Sequence, residues 1–331
     1  MKAVSRLLIL LMLFAGTARA DVNSITVARQ FGIAYLPFLI MEKDLLIEKH
    51  AAALGLPGFK VDWVVLSSGA AANDGLLSGQ LAFGVGAVPA MLLLWDRTRT
   101  GSNAVQGVTG VAVMPTVLNS RNPAVKSIAD FTSADKIALP AIKVSNHALV
   151  LEMASAQVFG ADNWGKLDPL TVSMPQPDAA AQLMSRAGEI TAHFTSPPFT
   201  RSELRAPGVH AVLNSVDVMG DTSLTVLWTT KRFAGANPMV VRAMYDALHE
   251  ALATINADKS AAADRYLALS GDKIGREDLM EVLADPHIQF TARPLGVMAF
   301  AAFMKKTGAL KAEPAAWTDV FLPMAHAAGG S

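Results

Sequence analysis

The chain has 331 residues, carries 28 lysines and arginines against 28 aspartates and glutamates, and contains no cysteine. The balanced charge leaves no basic footprint for a nucleic acid. The missing cysteine rules out disulfides, thiolate metal sites and a cysteine nucleophile, and a chain this long can build a core large enough to do without disulfides.

Lys2 and Arg6 form a positive n-region, Leu7 to Gly16 a short apolar run, and Ala18-Arg19-Ala20 a small-x-small cleavage site before Asp21. Residues 1–20 therefore read as a signal peptide that is cleaved; the run is too short for a membrane anchor. Cleavage removes Lys2, Arg6 and Arg19 and no acid, which puts the mature chain three charges on the acidic side. With no N-terminal cysteine to carry a lipid, the expected product is free in the periplasm, without membrane insertion.

Ser24 to Ala28 reads as a first strand, followed by a loop through Gln30, Gly32 and Tyr35. Pro37 sits where a helix can start, since its missing N–H is not needed in a first turn, and that helix carries Leu39, Ile40, Leu45, Leu46 and Ile47 before Gly55. A second strand from Phe59 to Leu66 leads into Ser67-Ser68-Gly69 and a helix closed by Gly79; Leu81 to Val85 is the third strand. Val88 to Leu94, apolar but soon meeting Asp96 and Arg97, reads as a buried helix. The series is βαβαβ, with parallel strands and right-handed crossovers expected.

The order then repeats. Lys136 to Pro140 is a strand, Ser145-Asn146-His147 opens a helix ending near Gly160, Leu170 to Met174 is a strand, Asp178 to Ala187 a helix and Ile190 to Phe194 a strand. The markers Ala70-Ala71-Ala72, Gly79-Gln80-Leu81 and Pro89 recur as Ala179-Ala180-Ala181, Gly188-Glu189-Ile190 and Pro198, each displaced by 109 positions. A period this long indicates two similar lobes rather than a solenoid. Val108 to Leu118 carries the chain outward between lobes and Leu224 to Trp228 carries it back. Asn237 is expected to cap a helix with Pro238 at its first position and with Met239, Val240, Met244, Leu248, Leu252 and Ile255 along one face. A further helix is read from Pro294 to Lys306. The expected fold is α/β and two-lobed, with residues 21–112 and 225–331 in lobe one, residues 113–224 in lobe two, a two-segment hinge, and the C-terminal helices on lobe one.

These segments together resemble the substrate-binding proteins of ABC importers in the nitrate, sulfonate and taurine group, and the similar thiamin-precursor-binding proteins. The resemblance rests on Gly32-Ile33-Ala34-Tyr35-Leu36-Pro37-Phe38, Gly79-Gln80-Leu81-Ala82-Phe83-Gly84, Ser127-Ile128-Ala129-Asp130-Phe131, Phe233-Ala234-Gly235-Ala236-Asn237-Pro238 and Phe303-Met304. It implies a type II periplasmic-binding-protein fold, a monomer that takes a small-molecule ligand, and an ABC permease as partner. The chain departs from the family where Leu81-Ala82 and Ile190-Thr191 stand in place of an Asp often found there, and where Pro197-Pro198 follows Ser196 rather than an acid and a single proline.

In open α/β sheets ligands lie beyond the carboxyl ends of the strands, at helix N-termini that favour anions. That rule selects Gln30, Tyr35, Ser67, Ser68, Gly69, Gly86 and Ala87 in lobe one, and Ser145, Asn146, His147, Gln176, Asp178, Thr195 and Ser196 in lobe two; Trp228 is added as a hinge aromatic. Serines at helix starts serve equally as N-caps, His147 is as suited to capping as to an anion, Trp228 in its apolar run to packing, and Asp178 to the helix dipole. His193 falls inside a strand and reads as an interior histidine. Lys143 and Arg201 are the basic residues near cleft loops, either facing an anion or solvated.

Gly84-Val85-Gly86 lacks the third glycine of a dinucleotide turn, the histidines lack metal spacing, and no nucleophile elbow or Walker sequence is present. The expectation is a non-enzymatic periplasmic receptor without a cofactor or metal, closing on a small anionic organic ligand such as a sulfonate or nitrate and passing it to a permease. Two alternatives stay open: an enzyme on the same scaffold, as in thiamin-precursor synthases, and a receptor for a membrane sensor.

Overall fold

The computed structural model describes residues 21–186 and 188–331; the signal peptide read over residues 1–20 lies outside them. Lobe one begins with β1 (Ser24–Arg29), α1 (Leu36–Lys43), α2 (Leu46–Ala53), β2 (Lys60–Val65), α3 (Gly69–Leu77), β3 (Gly84–Gly86), α4 (Val88–Thr98) and β4 (Val105–Val113). Lobe two follows as β5 (Val117–Ser120), β6 (Ile137–Leu139), α5 (Asn146–Phe159), β7 (Thr171–Ser173), α6 (Gln176–Ser185), β8 (Ala192–Thr195), α7 (Phe199–Leu204), β9 (His210–Asn214) and α8 (Ser215–Met219). The chain returns along β10 (Ser223–Thr230) and ends in α9 (Lys231–Ala236), α10 (Pro238–Ala257), α11 (Lys259–Ser270), α12 (Arg276–Ala284), β11 (Gln289–Phe290), α13 (Val297–Lys306) and α14 (Pro323–His326).

The 109-residue echo is visible in the pairing. β1 runs parallel to β2 with Val27 opposite Trp63, and Val27 also bridges Phe83 in parallel. In lobe two β6 lies between β7 and β8, parallel to both. Each triplet is extended by an antiparallel strand from the hinge region, β10 beside β3 and β5 beside β8. The rest of the sheet order is β11-β4-β10 in lobe one and β5-β9 in lobe two.

α10 supplies the largest apolar face of lobe one. Val240, Met244, Leu248, Leu252 and Ile255 recur at helical spacing and are all buried, packed with Phe38, Ile40 and Ile47 of α1 and α2. Burying one such side chain contributes about 1.5–3 kcal/mol. Met239 is exposed, one position off that stripe.

Several expectations need correction. The helix read from Pro37 through Ile47 is two helices, broken where Leu45 adopts φ 51° in the left-handed region. That conformation costs a residue with a Cβ roughly 1–2 kcal/mol; it leaves Leu45 exposed but turns Leu46 and Ile47 into the core. The third strand forms at Gly84–Gly86 rather than from Leu81, and its ladder partner is antiparallel β10, because only a Gly84 without a Cβ admits the Trp228 indole across the pair. Asn237 does not cap α10 with its side chain. Its Oδ1 accepts from the Val22 backbone N at 2.9 Å and its Nδ2 donates to the Phe233 carbonyl, so it ties down the start of β1 instead. The last long helix starts at Val297, not Pro294, and α6 starts at Gln176, two residues before Asp178.

Candidate ligand cleft

The carboxyl ends of the parallel strands of both lobes open on one cavity of about 600 Å³ of empty space, part of it continuous with solvent. Lobe one lines it with Gln30, Tyr35, Ser67, Ser68, Gly69 and Ala87, and lobe two with Ser145, His147, Gln176 and Ser196. These ten of the expected residues are brought together. The apolar part of the wall comes from Phe31, Ala34, Ala70, Ala90, Pro140, Ala141, Val144 and Leu224.

The other five expected residues are placed elsewhere. Asn146 is buried behind the wall, donating from Nδ2 to the Ser223 carbonyl at 2.8 Å across the hinge. Thr195 is fully buried and donates to Gln176 Oε1 at 3.0 Å. Asp178 is exposed in the first turn of α6, where a carboxylate complements the helix dipole. Gly86 lies one layer behind, its Cα face against Gln30 Nε2. Trp228 has no exposed surface and packs against Gly84 and Gly86, so it is core and not cleft wall.

Four helix N-termini meet at this cavity: the first residues of α3, α4, α5 and α6 all contribute to its lining. The first four N–H groups of a helix have no partner within it and carry a partial positive charge. Ser68 Oγ accepts from Ala71 N at 3.4 Å and Ser145 Oγ from Ala148 N at 3.2 Å, so α3 and α5 are capped. Ala87 and Pro175 precede α4 and α6 and offer no side-chain cap. A proline stands in the first turn of each, Pro89 in α4 and Pro177 in α6, and removes one of the donors there.

The wall is held rigidly. Gln30 Nε2 donates to the Val85 carbonyl at 2.9 Å, joining the end of β1 to β3. Gln176 Oε1 accepts from Ser196 N at 2.9 Å and from Thr195, fixing the start of α6 against the end of β8. Ser145 Oγ also donates to the Ala141 carbonyl at 2.7 Å. No aspartate, glutamate, lysine or arginine is among the described residues lining the cavity.

The imidazole at the wall is neutral. His147 is buried with an edge-on contact to Phe194, and burial, reinforced by His193 behind it, pulls its pKa down to about 3. Neither of its ring nitrogens has a partner among the described residues. Burial likewise pushes the Tyr35 phenol well up, the Thr225 hydroxyl offsetting a part. Both groups therefore act as neutral hydrogen-bonding groups around pH 7.

His193 is interior as read, but it is part of a pair: its Nδ1 lies 2.5 Å from Glu203 Oε1, while Asn119 Nδ2 donates to Glu203 Oε2 at 2.9 Å. Arg201 neither faces the cavity nor stands solvated; it is ion-paired to Asp278 and Glu281. Lys143 faces a separate small cavity with Glu152 and Asp168. The strand-end rule misses Phe31 and Ala141 because it stops at the residues next to helix caps. Ala90 and Leu224 reach the wall only through packing and carry no local signal.

A family model described as the NMT1-like family matches residues 19–269. The chain belongs to the NMT1-like family. No curated protein is a match by sequence. Among solved structures, the family member described here is similar to the alkanesulfonate-binding protein SsuA of Xanthomonas axonopodis pv. citri bound to MOPS, with a TM-score of 0.68 and 17% identity over 88% of this chain and 96% of that one. It is similar to the periplasmic nitrate-binding protein NrtA of Synechocystis PCC 6803, with a TM-score of 0.70 and 14% identity over 91% and 85% of the two chains. The periplasmic aliphatic sulphonate binding protein SsuA of Escherichia coli aligns with a TM-score of 0.65 and 17% identity over 91% and 99%. At these identities the likeness establishes the fold, the generic two-lobed periplasmic-binding-protein architecture.

Proposed function

We propose that this protein is the periplasmic solute-binding component of an ABC import system. It captures a small anionic organic molecule or nitrate between its lobes, closes by hinge motion and delivers the ligand to a membrane permease. The division into residues 21–112 with 225–331 and residues 113–224, and the cleaved signal peptide, belong to the same proposal. The observation that carries it is the convergence of four helix N-termini, two of them without side-chain caps, on a cavity whose lining among the described residues holds no charged side chain. Such a site stabilises an anion through fixed N–H dipoles and neutral donors, and it needs no covalent chemistry: closure is a shift between open and closed populations. The alkanesulfonate-binding and nitrate-binding proteins of the same fold support this choice of ligand class.

Thermal-shift screening of the mature chain against sulfonates, nitrate, carboxylates and phosphonates should find a ligand. At 100 times its dissociation constant a ligand stabilises by about 2.7 kcal/mol. The same ligand should compact the protein in solution scattering and be recovered intact in stoichiometric amount. A panel that yields neither stabilisation nor compaction would overturn the proposal, and turnover of the bound molecule would reassign the protein to the enzymes.

The serines supply a second expectation. Ser68→Ala combined with Ser145→Ala should weaken that ligand about tenfold and lower stability by about 1 kcal/mol per lost cap, with the fold retained by circular dichroism. Unchanged affinity in the folded double variant would remove these two helix starts from the site.

A further inference from the structure

On one flank of the molecule the two lobes are joined by charge. α7 of lobe two presents Arg201, and Arg205 at its C-cap, to α12 of lobe one. Arg201 Nε donates to Asp278 Oδ1 at 2.9 Å and its terminal nitrogen pairs with Glu281. Arg205 reaches the same Asp278 oxygen through Nε at 2.9 Å and a terminal nitrogen at 2.7 Å. Two guanidinium groups share two carboxylates, and neither acid has another basic partner among the described residues. Asp278 is held below the usual carboxylate range by Arg205 and then Arg201.

These pairs form in the same arrangement that joins the lobes at the cleft. Ile33 N donates to the Pro197 carbonyl at 3.2 Å, and Gly32, at φ +98°, approaches so closely that a Cβ there would lie 3.1 Å from that oxygen. Ser196, next in sequence to Pro197, lines the ligand cavity, and α7 begins at Phe199. The backbone contact at Pro197 and the ion pairs of α7 are thus separated by a few residues of one segment. The positions of the charges are set by helices that belong to different lobes, so a hinge rotation that opens the cleft moves α7 relative to α12.

We infer that Arg201, Arg205, Asp278 and Glu281 are affinity-determining residues that touch no ligand: an ionic latch between the lobes that sets the population of the closed cleft. The consequence for affinity rests on the receptor function proposed above, whereas the latch itself does not. Exposed ion pairs are individually weak, but several acting on one opening equilibrium add. Releasing the latch should reduce apparent affinity by the fraction of chains that remain closed, roughly three- to tenfold.

The test uses the mature chain without ligand. The chain has no native cysteine, so Ala53→Cys in lobe one and Ala124→Cys in lobe two, both exposed, give a clean spin-label pair for distance measurement. The latch predicts a shift to open-cleft distances between ionic strengths of about 0.01 M and about 1 M, where the screening length falls from ~30 Å to ~3 Å. Arg201→Glu with Arg205→Glu should show the open distribution at low salt already. Adding Asp278→Arg and Glu281→Arg, which restores opposite charges, should recover the closed one. A distance distribution in the unmutated latch that is the same at both salt concentrations would overturn the inference, and this arm stands even where the reversed variant fails to fold. A folded four-fold variant that stays open would overturn it as well. Since no ligand is added, the latch can fail while the receptor reading stands, and a working latch on a chain that binds no anion would sink the receptor reading alone.

Discussion

Glu203→Ala should lower the free energy of unfolding by about 3–5 kcal/mol, the cost of removing one partner from a fully buried polar pair. Glu203, His193 and Asn119 have no exposed surface, and Glu203 is the acceptor for both neighbours, at 2.5 Å and 2.9 Å. Alanine at this position strands an imidazole nitrogen in a site that water cannot reach, at about 1–3 kcal/mol, and leaves Asn119 Nδ2 only the Thr200 carbonyl at 3.5 Å. The network has little reserve: among the described residues His193 Nε2 and Asn119 Oδ1 already lack partners. Glu203→Gln keeps one carbonyl acceptor and should lose less, about 1–3 kcal/mol. Urea unfolding with a common slope checks both values; a loss below about 1 kcal/mol for the alanine variant would mean that the pair is not closed in solution. His147 sits next to this network, so Glu203→Ala should also disturb the floor of the cleft and weaken whatever ligand the screen identifies.

Trp228→Ala is the second large effect, expected at about 3–5 kcal/mol for a buried aromatic whose cavity cannot fully collapse. The indole is the largest wholly buried side chain and lies on Gly84 so closely that a Cβ there would come within 2.1 Å of Nε1. Trp228→Phe should cost less and still leave ligand affinity within about twofold, because the ring stands behind Gly86 and not on the cavity wall. The outcome that sinks this placement is the reverse one, a stable Trp228→Phe protein that has lost its ligand. The converse change, Gly84→Ala, should be as harmful as losing the indole, since the added carbon meets a core ring with nowhere to move.

Acidification separates the titrating wall residue from these packing effects. His147 is neutral in the folded protein down to about pH 3, while in the unfolded chain it protonates near pH 6.5. Its folded-state pKa is depressed, so the unfolded state binds the extra proton below about pH 6.5. The contribution of His147 to stability is thus complete above that pH and declines as the pH falls.

The parts of the site that were legible in the sequence are those made by short-range rules. Ser68 and Ser145 stand before helices because a side-chain oxygen there satisfies a first-turn N–H, and both do so. The displacement of 109 residues marked two βαβ units, and the strand-end rule then placed Gln30, Ser67, Gln176 and Ser196 on a common wall. Leu45, Asn237 and Arg201 were not legible in the same way. Leu45 takes a left-handed turn because the core needs Leu46 and Ile47, Asn237 bonds the distant Val22, and Arg201 finds its acids on a helix more than seventy residues later.

Local chemistry in the chain determined the strands, the helix starts and their duplication, since caps, apolar periodicity and turn residues act over a few positions. The tertiary structure decided which of those ends face each other, that no charged side chain among the described residues lines the cleft, and that Trp228 belongs to the core. Those are properties of how two lobes fold onto one another. They depend on burial and on contacts between residues a hundred positions apart, which no local pattern encodes.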